Sequence, residues 1–213
     1  MSLKYLNWLD LGDYNLIGAI PSTITGMKNL RRLYLGGNQL EQTIPNEICL
    51  LRKLGEMDLG NNKLSGTIPS CIGNLTHIQS MLLSCNSLSS AIPSSLWQLQ
   101  NLLFLNLSFN SLGDSLDANM RTLKMLQSMD LSWNNISGYI PAIVGAFQSA
   151  SALNLSGNSF SGPIPESIGE LISLDYMDLS HNNLSGEIPK SLVDFTSSIL
   201  EFVFQQAFRG NSN

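Results

Sequence analysis

Residues 180–189 read SHNNLSGEIP, a stretch in which asparagines, a Ser-Gly pair and a proline surround the isolated apolar residues Leu184 and Ile188. Glycine and proline disfavour a helix interior, but such ordered placement of apolar residues is not typical of a disordered segment. The Ile-Pro pair of this stretch recurs at multiples of 24 residues, and only the slot at Asp117 lacks it. The recurring prolines are Pro21, Pro45, Pro69, Pro93, Pro141, Pro165 and Pro189.

The neighbours of these prolines recur in the same register. One column is leucine throughout and consists of Leu11, Leu35, Leu59, Leu83, Leu107, Leu131, Leu155 and Leu179. Three residues after each leucine the chain has an asparagine, except for Tyr14 in the first slot, and this column consists of Asn38, Asn62, Asn86, Asn110, Asn134, Asn158 and Asn182. Self-similarity at a fixed period of this length predicts a solenoid in which each repeat forms one coil.

The consensus of one repeat, LxxLxLxxNxLxGxIPxxIxxL, is the leucine-rich-repeat pattern in its 24-residue form. Alternating leucines such as Leu33 and Leu35 predict a short strand with one buried face. We expect the column asparagine to bond the backbone of its own turn and of the next coil, because an amide offers both donors and an acceptor. A glycine before the Ile-Pro pair, as at Gly186, permits the sharp bend that follows.

Two segments carry a more specific resemblance. LSGTIPSCIGNL (64–75) and FSGPIPESIGEL (160–171) resemble the extracellular leucine-rich repeats of plant receptor-like kinases and receptor-like proteins. The segments 94–112 and 172–192 are most similar to the membrane-proximal repeats of the immune-receptor subfamily that senses bacterial flagellin and elongation factor. The resemblance implies an α/β solenoid, a right-handed superhelix with short parallel strands on the concave face. The convex face would hold loops, 3-10 turns and short second strands made by the GxIP segments.

This resemblance covers residues 1 to about 195, which we interpret as eight repeats. It also implies a parent protein with a signal peptide, cysteine-paired caps, a membrane helix and often a kinase. Residues 196–213 are expected to form a degenerate capping segment, because Ile199, Phe202 and Phe204 repeat the strand spacing one residue late and Ala207 occupies the asparagine slot. The sequence FRGN at 208–211 resembles the opening of the family's C-terminal cap.

Composition excludes several partners. The formal net charge is −5, and no dense run of Lys and Arg is present, so nucleic acid and anionic membranes are not expected as partners. The chain has no run of about 18 apolar residues and no signal sequence at its start, so we expect a piece of a longer or truncated protein. The expected location is extracellular, as part of the parent's ectodomain.

The search for catalytic and cofactor motifs finds none. His77 and His181 lie four coils apart in different columns, so they cannot share a metal ion or a proton. An outward column of carboxylates is interpreted as a solvated strand face and consists of Asp10, Asp58, Asp130 and Asp178. We therefore expect neither an enzyme nor a bound cofactor.

Three cysteines are present. Cys49 and Cys71 lie in adjacent coils but two columns apart, near the limit of disulfide reach, so two separate thiols are favoured over a bond. Cys85 stands before a column asparagine without a partner, so it is a free thiol or pairs elsewhere in the parent.

Five acceptor sequences for N-glycosylation fit a secreted chain, although the repeat consensus itself produces the tripeptide Asn-Leu-Ser. They begin at Asn74, Asn106, Asn135, Asn154 and Asn183. Asn74 and Asn183 are the favoured sites, because Asn106 and Asn154 lie in the strand row, where a glycan would crowd the inner face.

That inner face is the predicted binding site. An outward aromatic residue on a strand gains nothing from the core, and a rigid row of strands is a suitable platform for a peptide or protein ligand, or for a co-receptor. The apolar residues of coils four to six on this face are Leu82, Leu103, Phe104, Phe109 and Trp133. Phe109 and Trp133 share a column, so their rings are expected to stack about 5 Å apart. Tyr34, near the start, and Tyr176 and His181, near the end, extend the set.

Three interpretations of function remain open at this stage. The first is a recognition module in plant defence or developmental signalling. The second is a secreted inhibitor of pectin-degrading enzymes, a class that usually has around ten repeats and cysteine caps. The third is an ice-binding repeat protein, which requires a flat, regular Thr, Ser or Asn array that these varied columns do not provide.

Overall fold

The computed structural model describes residues 3–117, 120 and 123–193. The expected capping segment 196–213 lies outside the described residues. Within them the chain forms sixteen short strands and one helical turn at its end, α1 (Lys190–Val193). The strands are β1 (Trp8–Asp10), β2 (Ile17–Ala19), β3 (Arg32–Tyr34), β4 (Gln39–Thr43), β5 (Glu56–Asp58), β6 (Lys63–Gly66), β7 (Ser80–Leu82), β8 (Ser87–Ala91), β9 (Phe104–Asn106), β10 (Ser111–Gly113), β11 (Ser128–Asp130), β12 (Ser137–Tyr139), β13 (Ala152–Asn154), β14 (Ser159–Gly162), β15 (Tyr176–Asp178) and β16 (Asn183–Leu184).

The odd-numbered strands form one long parallel sheet in sequence order, from β1 to β15. Partners in this sheet are 24 residues apart, as in the pairs of Leu9 with Leu33 and of Leu33 with Met57. The repeat period of the sequence is therefore the register of the sheet, and each column of the sequence is a row of adjacent side chains. The right-handed solenoid expected from the sequence is confirmed, and the outward side of this sheet is its concave face.

The even-numbered strands form two smaller parallel sheets on the opposite side of the coils. One contains β2, β4, β6, β8 and β10, and the other contains β12, β14 and β16. They are separated at the coil that has Asp117 in place of proline, where only a single bridge joins Ser115 to Ser137. These strands lie between the column asparagine and the Ile-Pro pair, so they begin earlier than the GxIP segments that the resemblance indicated.

Short 3-10 helices close most coils after the second strand. Several begin directly after the recurring proline, whose fixed φ suits the residue before a helical turn, as at Pro45 with φ −69°. The 3-10 helices are Ser22–Gly26, Asn46–Leu50, Ile72–Asn74, Leu96–Gln98, Ala142–Ala146 and Glu166–Glu170. Each turns the chain back toward the next long-sheet strand and points an apolar residue such as Ile48 inward.

One continuous apolar core runs along the axis of the coils. The inward strand residues Leu33, Met57 and Leu105 are almost completely buried, as are the large side chains Trp97 and Phe160. Because each coil contributes the same positions, every interior coil buries its apolar face against two neighbours. No coil has a separate core, so the stability of each depends on the stack.

The column asparagines form a hydrogen-bonded ladder along this core. Asn134 Nδ2 lies 3.0–3.1 Å from the carbonyl oxygens of Leu107, Leu131 and Ser132, and its Oδ1 accepts a bond from the Leu112 amide at 2.9 Å. Leu107 and Leu112 belong to the preceding coil, so the ladder reaches backward along the chain rather than forward as expected. The same pattern begins at Asn38 and continues to Asn182. Each asparagine thus fastens its own turn to the coil before it.

A disulfide joins Cys49 to Cys71, contrary to our preference for two separate thiols. Their Cα atoms are 5.9 Å apart, inside the usual range for a disulfide. The expectation was wrong because it applied the 24-residue register to the whole coil. On the convex side partners are 22 residues apart, as for Ile17 with Gln39, and this is also the separation of the two cysteines. Cys85 is free and exposed.

The ladder makes a testable contribution to stability. We expect Asn134→Ala to lower the free energy of unfolding by about 3 kcal/mol, because it leaves the buried Leu112 amide without its acceptor and removes one of the two side-chain amides that donate to the Leu107 carbonyl. The measurement is a urea unfolding curve. The neighbouring exposed Asn135→Ala is the control and should change stability by less than about 0.5 kcal/mol. Equal unfolding midpoints for the two variants would contradict a stabilising role for the ladder.

Candidate ligand-binding face

The concave face is built from the outward residues of the long sheet and from the turn that follows each strand. Four outward positions recur in every coil, two within the strand and two in the turn. The strand residues Phe104 and Tyr176 are each 43% exposed, whereas Leu82 in β7 and Leu103, directly before β9, are half-buried. The predicted residues of coils four to six therefore share one face, together with Tyr176 and His181 from coil eight.

The carboxylate column faces outward, with Asp10 exposed and the other members half-buried, and it also caps the turn. Asp130 Oδ1 accepts a hydrogen bond from the Ser132 amide at 2.9 Å, and Asp58, Asp178 and Asp10 bond the amide two residues on in the same way. Asn106 occupies the column in coil five and does the same. Short polar side chains at this position fix the turn that presents the following residues. The column therefore has a structural role that alternation alone does not reveal.

The turn ends on a residue in the left-handed region of backbone space in every coil. Glycine, asparagine or aspartate occupies this position in four coils, as these residues accept positive φ at lowest cost. The members and their φ values are Asp13 58°, Gly37 67°, Asn61 51°, Cys85 54°, Phe109 53°, Trp133 52°, Gly157 64° and His181 54°. Bulky aromatic residues are uncommon in this region, so Phe109 and Trp133 stand where the backbone disfavours them.

The rings of this column pack on one another. Phe109 and Trp133 are stacked with centroids 6.0 Å apart and an interplanar angle of 15°, which confirms the expected stack at a somewhat longer distance. The Trp133 indole also reaches the His181 ring, at 5.7 Å and 35°. We call Phe109, Trp133 and His181 the aromatic shelf. Phe109 is 53% and Trp133 49% exposed, so the shelf faces solvent.

Gly157 makes the contact between Trp133 and His181 possible. It lies between them in the column, and a Cβ at this position would stand 2.7 Å from the indole atom Cδ2. Without a side chain in coil seven, the indole leans across that coil and meets the imidazole beyond it. Sequence reasoning identified His181 only as an extension of the face and did not identify Gly157. The feature of the sequence that could have identified Gly157 is its place in the column directly between two ring-bearing residues, Trp133 and His181.

Tyr176 and its neighbours give the end of the face an acidic character. Partial burial and the nearby carboxylates of Asp178 and Asp130 raise the pKa of Tyr176, so its hydroxyl stays protonated. In the described residues no group of three His, Cys, Asp or Glu side chains is arranged to hold a metal ion.

Tyr34 belongs to a separate cluster in the first coils. Its hydroxyl donates to Glu56, and this bond, with burial and the carboxylate charge, raises the pKa of Tyr34 to about 12. Arg32 Nε donates to the other Glu56 oxygen at 3.0 Å, and Arg32 Cζ lies 5.6 Å from the centroid of the Trp8 ring. The structure therefore does not join Tyr34 to the aromatic shelf.

The five glycosylation acceptors divide into two groups. Asn74, Asn135 and Asn183 are exposed. Asn106 and Asn154 are half-buried in interior strands of the long sheet, and each amide oxygen accepts bonds from the amide and hydroxyl of the serine two residues on. The exposed acceptors lie outside the strand row of the concave face.

Comparison with known proteins identifies the class of this solenoid. Leucine rich repeat family profiles match residues 29–51, 52–112, 125–147, 151–171 and 173–195. The chain belongs to the leucine-rich-repeat family. A search of curated proteins gave no significant match.

Solved structures of plant proteins share the fold. The plant peptide hormone receptor RGFR1, in complex with RGF2, is 30% identical with a TM-score of 0.85, over 89% of this chain and 34% of that one. The Arabidopsis receptor kinase HAESA, in complex with the peptide hormone IDA and the co-receptor SERK1, is 36% identical with a TM-score of 0.83, over 87% and 32%. A plant ice-binding protein is 27% identical with a TM-score of 0.72, over 88% and 68%. The chain spans about a third of the length of the receptor chains.

The aromatic shelf should contribute little to folding. We expect Phe109→Asn and Trp133→Asn to leave the free energy of unfolding within about 1 kcal/mol of the parent, because relief of the left-handed strain offsets the lost ring contact. The control Phe160→Ala removes a buried ring and should cost about 3–5 kcal/mol. If Trp133→Asn lowered the free energy of unfolding as much as Phe160→Ala in the same urea assay, the shelf would be a structural element.

The exposure of the acceptors predicts where glycans attach. In secreted protein from plant cells, we expect occupancy at Asn74, Asn135 and Asn183 and little at Asn106 and Asn154, because the latter pair is held in the sheet by its serine bonds. Glycopeptide mass spectrometry measures each site separately. Full occupancy at Asn106 would place a glycan in the column beside Phe109 and contradict an open face.

Proposed function

We propose that this chain is a recognition segment of a plant receptor ectodomain, whose concave face binds a peptide or protein ligand through the aromatic shelf. The observation that carries this proposal is the stack of Phe109, Trp133 and His181 at backbone positions that favour glycine or asparagine. Neither the core nor the turn requires these rings. Strained residues that persist without a structural need are characteristic of functional sites.

The chemistry of the shelf fits a polypeptide ligand. Exposed aromatic rings provide a large contact area with few rotatable bonds, and they commonly dominate the energy of protein interfaces. The surrounding strands and turns supply polar groups, including the half-buried carboxylates of Asp130 and Asp178. The strands beneath are hydrogen-bonded on both sides in all interior coils, so the platform is formed before a ligand arrives.

The structural relatives support the class of ligand and the setting. The peptide hormone receptor RGFR1 is in complex with RGF2, and HAESA is in complex with the peptide hormone IDA and the co-receptor SERK1. We therefore propose a peptide ligand or a co-receptor ectodomain as partner, in defence or developmental signalling, outside the plasma membrane. Within this proposal, the sequences of segments 94–112 and 172–192 resemble the repeats of the immune-receptor subfamily. The described residues contain no helix that is long and apolar enough to cross a membrane.

An ice-binding function is the second candidate, because the plant ice-binding protein matches over 68% of its own length. The most regular hydroxyl column on the concave side runs from Ser84 to Ser180, but Ser108, Ser132 and Ser156 within it are buried. Buried hydroxyls cannot face an ice surface. Thermal hysteresis of the purified chain tests this candidate directly, and the inhibition of a fungal polygalacturonase tests the pectinase-inhibitor alternative.

Peptide selection tests the recognition function. A random twelve-residue phage library is panned against the chain, and affinities of enriched peptides are measured by biolayer interferometry. We expect Trp133→Ala and Phe109→Ala each to weaken binding about tenfold or more, since central aromatic residues commonly carry 1–2 kcal/mol or more.

The matched control is Tyr139→Ala, which removes an exposed ring, 70% accessible, from β12 on the convex side. It should leave affinity unchanged. Failure to enrich any peptide, or equal affinity of the Trp133 and Tyr139 variants, would reject the shelf as the binding site.

A further inference from the structure

We infer that the first coils carry a second binding site, for an acidic polypeptide segment, in a groove with positively charged walls beside β3 and β5. This site does not depend on the aromatic shelf, and its cationic residues lie in earlier coils than the shelf residues. Arg31, Arg32 and Lys53 line this groove. Together with Lys28 and Arg52, which are close to them in the sequence, they form a group that we call the basic rim.

The basic rim is assembled by the repeat. It holds five of the eleven Lys and Arg residues of a chain with net charge −5, but they are split between two short segments. Lys28 and Arg52 are 24 residues apart and therefore share a column, where neighbouring coils are about 4.8 Å apart. The sequence has no dense run of Lys and Arg, so this grouping arises from the stacking of the coils.

The rim borders a groove with a volume of about 540 Å³. Its lining includes the cationic side chains Arg31, Arg32 and Lys53, together with His77 and the half-exposed Trp8. Glu56 is the acidic residue of the lining. A cavity of this size accommodates several residues of an extended chain.

Most of the positive charge on the rim is uncompensated. Among the described residues, the ion pair of Arg32 with Glu56, at 3.0 Å, is the only one within salt-bridge distance. Lys53 Nζ donates to the neutral Asn29 Oδ1 at 2.7 Å. Lys28, Arg31 and Arg52 are exposed. Charges that have no carboxylate within salt-bridge distance in the described part of the chain are available to a ligand.

A groove of opposite charge lies at the other end of the same strands. It has a volume of about 420 Å³, and its lining includes Asp10, Asp13, Asp58 and Glu56. Glu56 lines both grooves and accepts hydrogen bonds from Arg32 and Tyr34, so this network divides them. An acidic segment is attracted at the basic rim and repelled three residues further along the strands. The arrangement fixes the side on which such a segment binds.

The groove favours a polypeptide as the anion carrier. The amide side chains of Asn7 and Gln79 lie in its lining, and each offers a donor and an acceptor for the peptide groups of an extended chain. The Trp8 ring is 52% exposed and provides an apolar contact for a side chain between two carboxylates. An anionic oligosaccharide is the alternative occupant that the experiment must separate.

The test uses the full chain and a fluorescein-labelled peptide of alternating Glu and Gly, with a Lys-Gly peptide as the charge-reversed control. Fluorescence anisotropy should show binding of the Glu peptide, weakened by raising NaCl from 50 to 300 mM, and no comparable binding of the Lys peptide. Arg31→Gln with Lys53→Gln should weaken binding about fivefold or more, because the double variant removes two of the three cationic side chains that line the groove.

The matched control removes two exposed charges outside the groove, Lys63→Gln in β6 with Lys190→Gln in α1, and should change affinity less than twofold. Equal losses in the two double variants would overturn the site. Binding of oligogalacturonate, but not of the Glu peptide, would overturn the polypeptide as occupant. Trp133→Ala should keep Glu-peptide binding, so failure of the aromatic shelf and failure of the basic rim are distinguishable.

Discussion

The hydrogen bonds of the column asparagines are the constraint on which the rest of the structure depends. Each long-sheet strand is only three residues long, so the turn that follows leaves backbone groups that no strand can satisfy. An asparagine amide satisfies them in its own turn and in the preceding coil, as Asn134 does toward Leu107 and Leu112. Because the core is shared by all coils, this fastening sets both the spacing of the columns and the rigidity of the concave face.

The same turn explains why the candidate site lies where it does. An Asp or Asn side chain at the end of most long-sheet strands caps the turn, as Asp130 does. The last residue of the turn, three positions later, adopts a left-handed backbone conformation. Side chains at that position project from a fixed backbone at intervals of one coil. Phe109, Trp133 and His181 use this geometry to form the aromatic shelf, and Gly157 leaves the space that lets two of them meet. The proposed ligand contact is thus built on positions that a purely structural sequence would give to glycine or asparagine.

Charge on this solenoid is organised by coils rather than by runs of sequence. Residues 24 apart become neighbours, so Lys28 joins Arg52, and the carboxylates of coils one to three collect at the opposite end of the strands. The long sheet then presents an aromatic region in its later coils and two oppositely charged grooves in its first coils. A ligand that contacts both regions would be oriented along the axis of the superhelix.

The sequence by itself determined the coil, the leucine core, the asparagine column and the stacking of Phe109 on Trp133, because a strict 24-residue period makes columns of sequence into rows of contacts. Only the tertiary structure decided the disulfide of Cys49 with Cys71, because the convex side follows a 22-residue register that the period conceals. It also decided the reach of Trp133 over Gly157 to His181 and the groove that the basic rim borders. These features depend on how far a side chain leans and on which coil faces it, and neither quantity is contained in a repeat pattern.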